Sequence, residues 1–144
     1  MMVAYAISRA DLVIIPTQGS QLDSAEAGKA IRLIRQQEKA FNRKIPYAVL
    51  YTRTNPAIRP RTLKHIQEAF RKHGIFAFET HMHEREACRA LFSFGGTLST
   101  LNPAHVPNVI EAKRNARAFA REVVMMLRVI EEPAGEAMPE GMVA

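Results

Sequence analysis

The sequence predicts an α/β fold in three layers: a parallel sheet with right-handed βαβ crossovers and helices on both faces. Three observations lead there. Leu12–Pro16 (LVIIP), Pro46–Tyr51 (PYAVLY) and Ile75–Phe78 (IFAF) are short apolar runs without alternation, as in strands covered on both sides. The stretches between them repeat apolar residues at helical spacing. The resulting order of strand, helix, strand, helix, strand calls for parallel pairing with crossover helices.

Taken in order, the first run begins about eleven residues into the chain. A central strand needs neighbours on both edges. If this strand is central in a larger fold, the other half lies outside these residues. Its open edge is then expected to be covered by a second copy or by the N-terminal residues. The first helix opens at Ser20 and Asp23, a cap pair, and carries Ala27, Ala30, Ile31, Ile34 and Phe41 at spacings of three, four and seven. After the second strand, Pro60 stands at a first helical position. Leu63, Ile66 and Phe70 follow on one face, and Gly74 closes the segment. A short helix over Glu84–Phe94, a Gly95-Gly96 break and an Asn102-Pro103 loop come after the third run. Pro107 then opens a long helix to about Ile130. Residues 1–130 read as one domain. The tail 131–144, rich in Pro, Gly and Glu, reads as disordered and acidic.

Bulk composition narrows the functional classes only modestly. The 144 residues are 47% hydrophobic and 24% charged, ordinary for a globular domain. No run approaches the roughly 20 apolar residues of a membrane span. The start does not read as a signal peptide, since Arg9 and Asp11 interrupt it. A single cysteine, Cys88, excludes an internal disulfide and reads as a small buried apolar residue of a reducing compartment. The net charge is +6, with 14 arginines among 20 basic residues; such a balance permits nucleic acid or anionic membrane as partner without selecting between them.

Few residues offer chemistry. A phosphate-binding loop reads G-x-x-x-x-G-K-[ST]. The nearest approach is Gly28-Lys29, with Asp23 in place of the first glycine, Ala30 in place of the hydroxyl residue, and a helix interior around it. His81, His83 and Glu84 suggest a metal cluster, but a third and fourth ligand at recognisable spacing are missing, so no metal site is expected. No Ser/His/Asp set assembles, and His65 and His73 fall on a polar helix side. The long last helix says more. At about 100° per residue, Arg114, Arg117, Arg121 and Arg128 lie within roughly 60° of arc. Ala112, Ala116, Val123, Leu127 and Ile130 centre opposite them. One face packs; the other is either solvated or a contact surface for DNA phosphates. No aromatic residues interleave with these arginines, which argues against stacking on single strands. Arg53, Arg59, Arg61 and Lys64 form a second basic cluster around a loop and a helix start, a place where a phosphate can be held.

These segments, in this order, resemble the ParA/MinD-type partitioning ATPases, a deviant Walker branch of the P-loop NTPase fold. Ala10-Asp-Leu-Val-Ile-Ile-Pro16, followed by Asp23 and an Ala-rich helix, resembles a family strand and helix beyond the Walker B aspartate. Ala48-Val-Leu-Tyr-Thr-Arg53 is similar to the next strand, which often ends in Asn-Arg near the adenine. Glu79-Thr-His-Met-His-Glu-Arg85, with Ala87, Ala90 and the glycines, is similar to an E-T-x-I-P-x-R strand end and helix. A Met-His-Glu-Arg sequence also occurs in ParA-like proteins of Agrobacterium-type plasmids, including those assisting DNA transfer. The likeness spans about residues 3–128 and rests on order and spacing, not on any single motif.

The resemblance implies the C-terminal portion of such an ATPase. It implies ATP-dependent dimerisation with Mg, non-specific DNA binding, a ParB-like partner and a role in segregating plasmids or chromosomes in the bacterial cytoplasm, in association with the nucleoid. Thr52, Arg53, Met82, His83 and Arg85 would form the nucleotide-side loops, with Thr52 at a common Asn and His83 at a common Pro. Arg114, Arg117, Arg121 and Arg128 would bear on DNA. Walker A and Walker B would lie upstream of Met1, so the resemblance assigns no catalytic residue here, and neither hydrolysis by this chain alone nor bound ATP is expected. Two rival readings remain: a non-enzymatic, degenerate ParA-like module that binds DNA or a partner, and an unrelated flavodoxin-like domain with a ligand at the strand ends.

Overall fold

A computed structural model describes residues 2–132. The elements run α1 (Met2–Arg9), β1 (Val13–Thr17), α2 (Gln21–Phe41), β2 (Tyr47–Thr54), α3 (Arg61–Lys72), β3 (Met82–His83), α4 (Glu86–Phe94) and α5 (Val109–Glu131). The sheet is parallel throughout, in the order β1-β2-β3, as the sequence predicts. Alternate residues of β2 build two separate cores. Val49 and Tyr51 face α2 and α3, where Ile31, Ile34, Leu63, Ile66 and Phe70 close over them. Ala48 and Leu50 face the other way, with Phe78, against Phe119, Val123 and Met126 of α5. The two helical layers and the sheet between them make the three expected layers. A third cluster ties Ala87 and Ala90 of α4 to Leu101, Val106, Val109 and Ala112, fixing the start of α5.

Local chemistry explains the helix ends. Ser20 is extended (φ −109°, ψ 155°) and its hydroxyl accepts the Asp23 N–H at 3.1 Å, the cap the sequence signals. Asn42 closes α2 in the left-handed region, where asparagine is tolerated. Pro60 caps α3 from the position just before its first residue, and Gly74 (φ +66°) follows its end.

Three features differ from expectation. The N-terminal residues form a helix, α1, which packs on α2 and is tied down by Arg43, whose guanidinium donates to Ser8 O at 2.8 Å and Ala10 O at 2.9 Å. It adds no strand to the outer edge of β1, which has no strand partner among the described residues. The run Ile75–Phe78 pairs with β2 in parallel, but through a single bridge, Val49 to Ala77. The ladder resumes only at Met82–His83. The cause lies in α5: both oxygens of Glu122 accept backbone N–H groups, from Glu79 at 2.7 Å and Thr80 at 3.0 Å, so this stretch bonds a helix side chain instead of a strand. The third feature is α5 itself, whose packed side takes in Phe119 and Met126 beside the half-buried Ala116, Leu127 and Ile130 that periodicity places there. The tail beyond Glu132 lies outside the described residues.

Candidate nucleotide-side cleft and arginine face

Strand β2 does not end smoothly. Thr52 pairs with Met82 and Thr54 with His83, so Arg53 is the extra residue of a bulge, held at φ +54°. A bulge re-aims a side chain, and a non-glycine residue in this region is costly unless its surroundings fix it. Glu84 supplies the fixing contact: its Oε1 accepts from Arg53 at 3.0 Å and also from Arg89 of α4. The two guanidinium groups hold the Glu84 carboxyl below the usual carboxylate range, through hydrogen bonds from Arg89 first and Arg53 second.

The five residues proposed from sequence for the nucleotide-side loops come together here. Thr52, Arg53, Met82, His83 and Arg85 line one cleft of about 330 Å³, joined by Cys88 and Phe92 of α4. Phe92 is 94% exposed, an unusual position for a phenylalanine, and sequence periodicity gave no warning of it. His83 is held from two sides. Thr54 Oγ1 lies 2.9 Å from its Nδ1, and its backbone N–H donates to Asn115 Oδ1 at 3.0 Å. Asn115 in turn donates to His81 O at 2.7 Å. Burial lowers the pKa of both His81 and His83, so both rings favour the neutral form. Asn115 and Glu122, seven residues apart on α5, thus grip the segment carrying Met82 and His83; sequence reading assigned neither a role, because their partners are backbone groups.

Met82 and Phe92 give the cleft an apolar wall, and Arg53, Glu84, Arg85 and Arg89 give it charged groups. Gly28 and Lys29 sit within the regular helix α2, so their N–H groups are engaged in the helix. Among the described residues no group of three or more His, Cys, Asp and Glu could hold a metal ion; the His83 ring meets Thr54 and the His81 ring meets Gln67, at 3.3 Å. Cys88 is partly exposed in the cleft, not buried as its sequence reading expected.

The predicted basic surface is also formed. Arg114, Arg117, Arg121 and Arg128 are all exposed on the side of α5 turned away from the sheet. They share it with apolar side chains that the sequence reading left out: Ile110, Val124, Met125 and Val129 are 59%, 47%, 66% and 71% exposed. No described helix is long and apolar enough to cross a membrane.

Comparison with known proteins gives the family. The family model described as VirC1 protein matches residues 2–136. A curated relative, "Protein ParA" of Rhizobium radiobacter, is 38% identical over 126 residues, which cover 88% of this chain and 56% of the relative. The chain therefore spans little more than half of that relative's length. A parallel α/β core, loops gathered at the C-terminal ends of β2 and β3, and a match along nearly the whole chain place this protein in the VirC1 family of ParA-like proteins.

Proposed function

We propose that this chain is the C-terminal part of a ParA-like partitioning protein, and that α5 presents its arginines to the phosphates of duplex DNA without reading sequence. The observation carrying this is the exposed row Arg114, Arg117, Arg121 and Arg128 on a helix whose opposite side is anchored to the sheet. A fixed helix holds four guanidinium groups in register, and guanidinium suits phosphate oxygens. Each phosphate contact contributes about −0.9 to the slope of log affinity against log salt. The test is fluorescence anisotropy with two unrelated duplexes over a salt series, on the chain and on its Arg114→Ala/Arg117→Ala/Arg121→Ala variant. The variant is expected to bind both duplexes more weakly and to lose up to about 2.7 from the slope. Unchanged affinity and slope would remove this reading.

In the complete protein the cleft at Thr52, Arg53, Met82, His83 and Arg85 would take the base side of ATP, while phosphates and Mg would be held by a loop that these 144 residues do not contain. On this reading the chain alone does not hydrolyse ATP, and ATP-dependent dimerisation, plasmid or chromosome segregation and nucleoid association belong to the whole protein. A second reading has its own observation. Ile110, Val124, Met125 and Val129 make the arginine side partly apolar, which suits a protein surface such as a second copy or a ParB-like partner. Sedimentation of the chain alone separates these: self-association lost on Val129→Glu supports the second copy.

A further inference from the structure

The outer side of α5 carries charge that its surroundings do not match. Arg114, Arg117, Arg121 and Arg128 are exposed, and none of them forms an ion pair among the described residues. The acids of the helix are placed elsewhere. Both oxygens of Glu122 accept from the backbone of Glu79 and Thr80, and Glu111 and Glu131 stand at the two ends. Beside the guanidinium groups the same side is apolar, with Val124, Met125 and Val129 47%, 66% and 71% exposed. An ordinary surface helix turns charged and polar residues to water. A strip that mixes arginine with aliphatic side chains suits a covering segment that is acidic and apolar at once.

The chain itself supplies such a segment. Glu132 leaves α5 in an extended conformation (φ −64°, ψ 118°). Residues 133–144, PAGEAMPEGMVA, contain Glu136 and Glu140, the apolar Met138, Met142 and Val143, and no basic residue. Their reach is sufficient. At about 1.5 Å per helical residue, Arg121 lies about 17 Å back from Glu132. The eight residues 133–140 extend to about 26 Å, which brings Glu140 level with Arg121 and Glu136 near Arg128. Attachment also lowers the affinity that is required. A short tether gives an effective concentration on the order of 1 mM, so a segment whose dissociation constant is of that size is bound about half the time. Two exposed ion pairs contribute little each, and the apolar contacts add to them.

We propose that residues 133–144 turn back along α5 and cover its outer side, with Glu136 and Glu140 on Arg128 and Arg121 and the apolar residues against Met125 and Val129. The contact occupies guanidinium groups that any polyanion reaching α5 also needs, so an incoming polyanion binds only by displacing the segment. Salt screens the two carboxylates from the arginines and weakens the cover.

A spin label reads the contact directly and involves no DNA, so its outcome is separate from that of the DNA reading. The label is attached at Ala144→Cys in the full ¹⁵N-labelled chain, with Cys88→Ser to leave one thiol, and paramagnetic broadening of the amide signals is recorded. Broadening is expected to be strongest at residues 110–121 and weaker toward Arg128, because the covering segment runs back along the helix. A segment that stays off the helix gives the reverse order, strongest in the last turn beside its attachment. Glu136→Gln/Glu140→Gln in the same chain should remove most of the broadening at residues 110–121, and so should a rise from about 50 mM to 1 M salt, which shortens the screening length several-fold. In a mixture of spin-labelled chain without ¹⁵N and ¹⁵N chain without the label, no broadening is expected. The proposal is overturned if broadening falls steadily from the end of α5, or if the glutamine variant leaves it unchanged. Broadening that appears equally in the mixture overturns it too, and assigns the cover to a second copy.

Discussion

Replacing Glu122 by alanine tests the hold of α5 on the segment that leads to Met82 and His83. The carboxylate accepts from Glu79 N at 2.7 Å and Thr80 N at 3.0 Å, on a half-buried residue of α5. A hydrogen bond to a charged group contributes about 1.5–3 kcal/mol net when sheltered. Of these two, one lies at an exposed residue and the other at a half-buried one, so the low end applies and water recovers part of the loss. Glu122→Ala is therefore expected to destabilise the chain by about 2 kcal/mol, measured by urea unfolding followed by circular dichroism. Asn115→Ala removes the bonds to His81 O and His83 N on the same segment. The double variant should cost less than the sum of the singles, because a segment already released has less to lose. A loss below about 0.5 kcal/mol for Glu122→Ala, the range of an ordinary surface change, would refute the idea that α5 holds this strand.

Two glycines give opposite expectations. A Cβ at Gly28 meets nothing within 4 Å, so Gly28→Ala in α2 should stabilise by about 0.5–1 kcal/mol in the same unfolding assay, as alanine does in any helix interior. Gly96, at φ +82°, would bring a Cβ to 2.5 Å from Thr100 Oγ1, and Gly96→Ala should destabilise by about 1 kcal/mol or more, with a lower midpoint. pH supplies the third. His81 and His83 have folded pKa values below the ordinary 6.5, chiefly through burial, so the unfolded chain binds more protons than the folded one as pH falls through that region. Stability is thus complete above about 6.5 and declines below it, and the decline should shrink in the His81→Gln/His83→Gln variant, read by urea midpoints between pH 7.5 and 5.

Much of this was legible in the sequence for identifiable reasons. Leu12–Pro16 and Pro46–Tyr51 are continuous apolar runs because helices cover them on both faces, and the strands appear within a few residues of the forecast. Ser20 and Asp23 announced the cap because that hydrogen bond is local. Arginines four and seven apart announced a basic side because helical geometry fixes it. The misses share another cause. The short β3, the bulge at Arg53 and the grips of Asn115 and Glu122 depend on contacts between residues 29 to 43 positions apart, and no local pattern encodes those. Helix α1 has eight residues and no acid in its first turn, so no local signal marks its start. The neutral tendency of both histidines follows from burial, which spacing does not reveal.

The order of the contacts also decides which element sets the position of the cleft. Ala77 reaches β2 through one bridge only, and β3 has two residues, too few to hold itself in register against β2. What remains is α5, which docks on the sheet through Phe119, Val123 and Met126 and takes four polar backbone atoms of residues 79–83 on Asn115 and Glu122. Phe119 packs edge-on against Phe78 with ring centroids 5.2 Å apart, so the apolar and polar anchors of the helix fall on the same segment. Met82 and His83 therefore stand where α5 puts them, and the helix that places them carries the arginines on its opposite side. A substitution that loosens the inner side of α5, such as Phe119→Ala, would shift both surfaces together, whereas one confined to the outer side, such as Arg121→Ala, would leave the cleft as it is. Amide spectra of the two variants distinguish these outcomes: changes at Met82 and His83 in Arg121→Ala, or none there in Phe119→Ala, would show that the sheet and not the helix sets the cleft.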